Sequence, residues 1–83
     1  MGLRLNYRGV PNANAALGRK ISDLRKSAGI SQEELADRAS IHRTYVSQLE
    51  RGLKSPTITI DVLVKLAKAL DTTPSKIMRM LED

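Results

Sequence analysis

From Ala15 onward the apolar residues of this chain recur at three- and four-residue steps, the spacing that puts side chains on one face of an α-helix. Leu17, Ile21, Leu24 and Ala28 form the first stripe, and Gly29, a residue suited to the left-handed backbone that closes helices, marks its end. Ser31 followed three positions later by Glu34 has the form of a capping box, so a second helix starts there and carries Leu35, Ala36 and Ala39 inward. A third short helix over about residues 43–51 turns Val46 and Leu49 inward and stops at Gly52. Ser55-Pro56 marks a loop, because a proline pushes the residue before it out of the helical region. Leu63, Leu66, Ala67 and Leu70 give a fourth helix over about residues 59–70. Thr73-Pro74, a capping side chain ahead of a proline at the first helical position, opens a fifth that runs to about Leu81. Strand alternation and internal repeats are not seen. Residues 1–14, with Gly2, Arg4, Arg8, Gly9 and Pro11, hold no helical period and read as a flexible basic arm, disordered rather than groove-binding. The expected fold class is therefore all-α, five short helices in one domain over residues 15–83.

Composition narrows what such a bundle is for. At 83 residues the chain has room for one small core and one main task. With 14 lysines and arginines against 9 acids its formal charge is +5, a balance that suits a polyanionic partner. Tyr7 and Tyr45 are the only aromatic residues, too few to build the stacking platforms of single-strand and RNA readers, which leaves duplex DNA as the polyanion. Without cysteine there is neither a disulfide framework nor a thiolate metal site, and a single histidine makes a metal site unexpected. No apolar run reaches the roughly 18 residues of a membrane span and no secretion signal opens the chain, so the expected location is the cytoplasm, at the nucleoid. Catalysis is not expected either: the acids are spread over solvated faces, and no nucleophile, glycine-rich phosphate cradle or metal-ligand spacing stands out. No cofactor and no small-molecule substrate is called for.

The second and third helices, between Gln32 and Leu49, are joined by only three or four residues, a connection typical of helix-turn-helix units. So short a turn forces a steep crossing, and Ala36 is the small residue expected where the two backbones approach. The outward side of the third helix is left with His42, Arg43, Thr44, Ser47 and Gln48, polar side chains able to reach base edges in a major groove. Ser31-Gln-Glu-Glu-Leu-Ala-Asp-Arg-Ala39 followed by Thr44-Tyr-Val-Ser-Gln-Leu-Glu-Arg-Gly52 resembles the Cro and phage-repressor type of helix-turn-helix, the XRE family, over about residues 17–81. Arg43-Thr44-Tyr45 also looks like the controller proteins of restriction-modification systems.

That resemblance implies a compact five-helix, lambda-repressor-like DNA-binding domain and assigns roles by position. Arg43, Thr44 and Gln48 match base-reading residues, with Ser47 and His42 beside them. Gln32 matches a residue that holds a phosphate at a helix amino end. Arg51 and Lys54 fall where backbone contacts set register. Tyr45 is expected to pack its ring against the first helix of the unit and to reach a phosphate with its hydroxyl. Arg25 and Glu50 match a partly buried ion pair, which accounts for Glu50 being the one acid between Arg38 and Lys54. Ser40 departs from the family, whose turn often has glycine there; a serine at positive φ is strained. Ile77, Met78 and Leu81 give the last helix more apolar surface than so small a domain obviously needs, which is either packed in the chain's own core or forms the interface of a homodimer; a homodimer on a pseudopalindromic operator is expected, because one reading helix makes few contacts. The expected function is sequence-specific double-stranded DNA binding as a transcriptional regulator, in the first instance a repressor. The competing reading is a helical protein-interaction module, such as an antitoxin or regulatory subunit, bound through the last helix and the arm.

Overall fold

In the computed structural model of the protein, residues 13–52 and 58–81 are described, and they form five helices: α1 (Ala13–Ser27), α2 (Gln32–Ala39), α3 (Arg43–Glu50), α4 (Ile60–Ala69) and α5 (Pro74–Met80). All five lie within two residues of their expected bounds, and the start of α1 is where the difference matters. Ala13 and Asn14, assigned to the arm, belong to the first turn of α1. The rest of the arm, with Arg4 and Arg8, lies outside the described residues.

The helix starts are set by side chains from the sequence. Ser31 Oγ accepts from the Glu34 amide at 3.0 Å, Thr59 Oγ1 from Val62 at 3.2 Å, and Thr73 Oγ1 from Lys76 at 3.2 Å, with Pro74 opening α5. The carboxylate of Glu34 accepts from Arg38 Nε at 2.9 Å, one turn along α2. Three helix ends share one geometry. Gly29, Ser40 and Asp71 each take a positive φ, and in each case the next amide donates to the carbonyl five residues back: Ile30 to Arg25, Ile41 to Ala36, and Thr72 to Ala67. Ser40 therefore does adopt the left-handed conformation, at φ 58°, in the turn between α2 and α3, where a glycine is free of the steric penalty that a side chain carries.

Ile21, Leu35, Val46, Leu49, Leu66 and Ile77 are fully buried and draw all five helices onto one core. α3 rests chiefly on α1 and α2, α2 on α4, and α5 on α1 and α4. Where α1 meets α3, Gly18 is the point of contact: a Cβ there would run into the backbone carbonyl of Leu49. A glycine inside a helix weakens it locally, by roughly 0.5–1 kcal/mol relative to alanine. Here it lets the backbone of the third helix lie directly against the first. The close approach expected from the sequence is that of α2 to α3 at Ala36, which is buried; the contact at Gly18 is between α1 and α3, and no spacing marks it.

The structure corrects the reading of the last helix. Ile77 is 0 % exposed and Leu81 5 %, so both belong to the chain's own core and neither offers surface to a second copy. Only Met78, 37 % exposed, faces outward among the three. A stripe on a short terminal helix has to close the bundle before anything else, because a domain of this size has no other apolar layer to cover the far side of α1 and α4.

Candidate nucleic-acid interface

α3 is polar outward and apolar inward for a simple reason of period. Val46 and Leu49, three apart, are buried against the other helices, which turns Arg43 and Thr44 to solvent and leaves Ser47 and Gln48 at the half-buried flank. His42 is the N-cap of this helix; it is exposed and its side chain makes no capping hydrogen bond. The first turn of α3 contains no acid. The five expected base-reading residues thus lie together on one short helix and its N-cap, with His42, Arg43 and Thr44 toward solvent. The Tyr45 ring packs against the core. Arg51, just past the last turn, is exposed, while Lys54 lies outside the described residues.

Behind this face is a small polar network. Arg25, in the last turn of α1, donates from Nε to Glu50 Oε2 at 2.7 Å and from Nη2 to Glu50 Oε1 at 2.9 Å, the two-pronged geometry in which guanidinium and carboxylate fit best. Its third nitrogen, Nη1, donates to the carbonyl of Ile30 at 2.9 Å. The two charged side chains are 13 % and 5 % exposed. Burial alone pushes the Glu50 carboxyl up, but hydrogen bonds from Arg25, Gln32 and Ser22 and the positive charge of Arg25 outweigh it and hold the group below its ordinary value. The hydrogen bond to Glu50 correspondingly holds the Arg25 guanidinium above its own. Glu50 is therefore ionised with its charge spent inside the protein, and the outer side of α3 keeps a positive balance.

Gln32 is drawn into the same network. Its Nε2 donates to Glu50 Oε1 at 2.9 Å, so a residue expected to face a phosphate also ties the start of α2 to the end of α3. The sequence carries no signal for that tie, since glutamine at a helix start has many possible partners. Asn14 was missed as well. Its Oδ1 accepts from the Ile58 amide at 2.9 Å, across 44 positions. The alanines around it favour helix, and that propensity was the available hint.

Two tightly connected helices, the second exposing Arg43 and Thr44 beside a half-buried Gln48 over a buried Val46 and Leu49, define a helix-turn-helix unit of the kind that docks in a major groove. The helix-turn-helix family model matches residues 21–77, and the chain belongs to this family of DNA-binding transcription regulators, in its XRE type. Among curated relatives it is similar to the control protein C.BamHI of Bacillus amyloliquefaciens, 35 % identical over 68 residues that cover 81 % of this chain and 82 % of the relative. Among solved structures it resembles the restriction-modification controller protein C.AhdI from Aeromonas hydrophila, with a TM-score of 0.72 and 34 % identity over 78 % of this chain and 96 % of that one. It also resembles SinR, a master regulator for biofilm formation solved in complex with DNA, with a TM-score of 0.68 and 32 % identity over 75 % and 97 % of the two chains.

Proposed function

We propose that the protein regulates transcription as a homodimer that reads a short pseudopalindromic DNA site with α3 in the major groove. The observation that carries this reading is the solvent side of α3, where exposed Arg43 and Thr44 adjoin Gln48 above a fully buried Val46 and Leu49. Arginine binds guanine through two parallel hydrogen bonds, glutamine binds adenine in the same manner, and a threonine methyl touches the methyl of thymine. Ser47 and His42 extend the same edge. Gln32 has a second amide hydrogen for a phosphate beyond the one given to Glu50. Tyr45, Arg51 and Lys54 add backbone contacts that fix register.

One reading helix makes few contacts, and a two-fold dimer doubles them with helices about 34 Å apart. With Ile77 and Leu81 inside the core, the contact between copies falls to the exposed apolar residues Ile60, Val64 and Met78. A protein of this type works in the cytoplasm. It represses where the site overlaps a promoter, and it needs no cofactor and performs no catalysis.

Selection of bound sequences from a random duplex pool tests the reading. The wild-type protein is expected to recover a site with two-fold symmetry. Arg43→Ala should weaken binding to that site by about ten- to a hundredfold, the ~1–3 kcal/mol of one two-pronged base contact, and relax the preference at one base pair per half-site. Recovery of the same sequences with undiminished affinity by Arg43→Ala contradicts it.

A further inference from the structure

Ser40 carries left-handed backbone strain, at φ 58°, with an exposed side chain that serves neither the core nor the reading face. It stands at a cleft of about 210 Å³ between the exit of α2 and the side of α4, lined by Arg38, Ala39, Ser40, Lys65 and Lys68. The charged residues of that lining are all cations, brought together from two helices across 30 positions of sequence only because α4 packs on α2.

These groups keep most of their hydrogen-bonding capacity. Arg38 gives only its Nε to Glu34, at 2.9 Å, which leaves both terminal nitrogens for another acceptor. Lys65 pairs with Asp61 at 3.3 Å, one turn along α4 and half exposed, a contact weak enough for a better anion to displace. Lys68 has no ion pair, and the Ser40 hydroxyl no hydrogen-bond partner, among the described residues. Arg38 and Lys68 do lie in the last turns of their helices, where cations complement the dipole. That role accounts neither for Lys65, a turn earlier, nor for a hydroxyl where glycine would sit without strain.

We propose that this cleft is a binding site for a phosphate group, held by Arg38, Lys65 and Lys68 with the Ser40 hydroxyl as a further donor. Arginine supplies paired hydrogens to two phosphate oxygens and each lysine a point charge, while the hydroxyl, fixed by the turn, adds direction. The phosphate belongs either to a free small molecule or to a DNA backbone flanking the reading helix, which begins three residues after Ser40. The chemistry of recognition is the same for both.

The test is an NMR titration of the full chain with inorganic phosphate, replacing chloride at constant ionic strength. Saturable shifts are expected at Ala39, Ser40, Lys65 and Lys68, with half-saturation on the order of 1 mM. Lys65→Gln combined with Lys68→Gln should weaken this at least about tenfold. Ser40→Gly should weaken it about three- to tenfold without lowering the melting temperature, since glycine accepts the left-handed backbone freely. A purely structural serine would show no loss of phosphate binding in that variant.

Shifts that grow linearly, or that spread equally over Arg19, Arg43 and Arg51, are general charge attraction and overturn the site, as does undiminished binding by Ser40→Gly or by the paired lysine variant. Duplex titrations across a salt series then separate the two sources. With a DNA phosphate in the cleft, the paired lysine variant lowers the salt slope by about two units. With a free ligand the slope is unchanged and the DNA complex still takes up inorganic phosphate. Arg43→Ala should leave phosphate binding intact in either case, so the cleft and the reading helix stand or fall separately.

Discussion

α2 and α3 are both eight residues long, both bury a short apolar face and lie side by side, yet they differ in how they start and in where their acids stand. α2 opens with a side-chain cap from Ser31, has Glu33 and Glu34 in its first turn and shows Asp37 to solvent. Acids in the first turn suit the positive end of the helix dipole, so α2 is stabilised locally. α3 opens on His42 with no side-chain hydrogen bond, has no acid in its first turn and starts with an exposed arginine. Its one acid, Glu50, sits at the far end and is turned inward onto Arg25. The helix proposed to meet DNA thus gives up the devices that steady its neighbour, keeps its amino end clear of negative charge and relies on packing and one ion pair for its place.

That contrast implies a ranking of effects. Removing Glu50 should be the most damaging, because it leaves Arg25 half-partnered in a mostly covered site. Glu50→Ala is expected to lower stability by about 3 kcal/mol in thermal or urea unfolding. The same pair sets an acid limit. The Glu50 pKa is lowered in the folded state, so its contribution is fully present above the unfolded carboxylate value of about 4.3 and is lost as pH falls through the lower folded value. The wild-type protein should lose stability over that acid range more steeply than Glu50→Gln, measured by melting at stepped pH.

Gly18→Ala comes next. A methyl group at that position meets the Leu49 carbonyl, so α3 has to shift away from α1 at a cost of roughly 2 kcal/mol. Because the displaced element is the reading helix, DNA affinity should fall further than stability alone accounts for, as read by titrating the folded variant with its selected duplex. Smallest is the difference between the two caps. Ser31→Ala should cost about 1 kcal/mol, and His42→Ala, with no hydrogen bond to lose, should leave the unfolding midpoint nearly unchanged. Equal losses from the two substitutions would remove the contrast at the helix starts.

Much of this arrangement is written plainly in the chain. Leu17 and Ile21, Leu35 and Ala36, Val46 and Leu49, and Leu63 and Leu66 each place an inward face by spacing alone, and Ser31, Thr59 and Thr73 mark the helix starts by their chemistry. What escapes is decided by partners far away in sequence. Alanine and asparagine at the start of α1 have no stripe to announce them, and only the Ile58 amide gives Asn14 a purpose. Gly18 reads as a weak helical residue until Leu49 is brought against it. Ile77 and Leu81 look the same in sequence whether they cover their own core or a neighbour's, and only the closure of α5 over α1 and α4 decides it. Asp71 has the same left-handed exit as Gly29, and neither its type nor its neighbours mark it strongly.

The reach of Arg25 has a consequence for how the molecule opens. One guanidinium joins the exit of α1, through the Ile30 carbonyl, to the end of α3, and through Glu50 to the start of α2 at Gln32. Fraying of the reading helix from its carboxyl end would have to release all three segments at once. The hydrogen-bonded amides toward that end should therefore exchange with solvent only when the whole domain melts, so that a DNA site meets a surface that is either complete or absent.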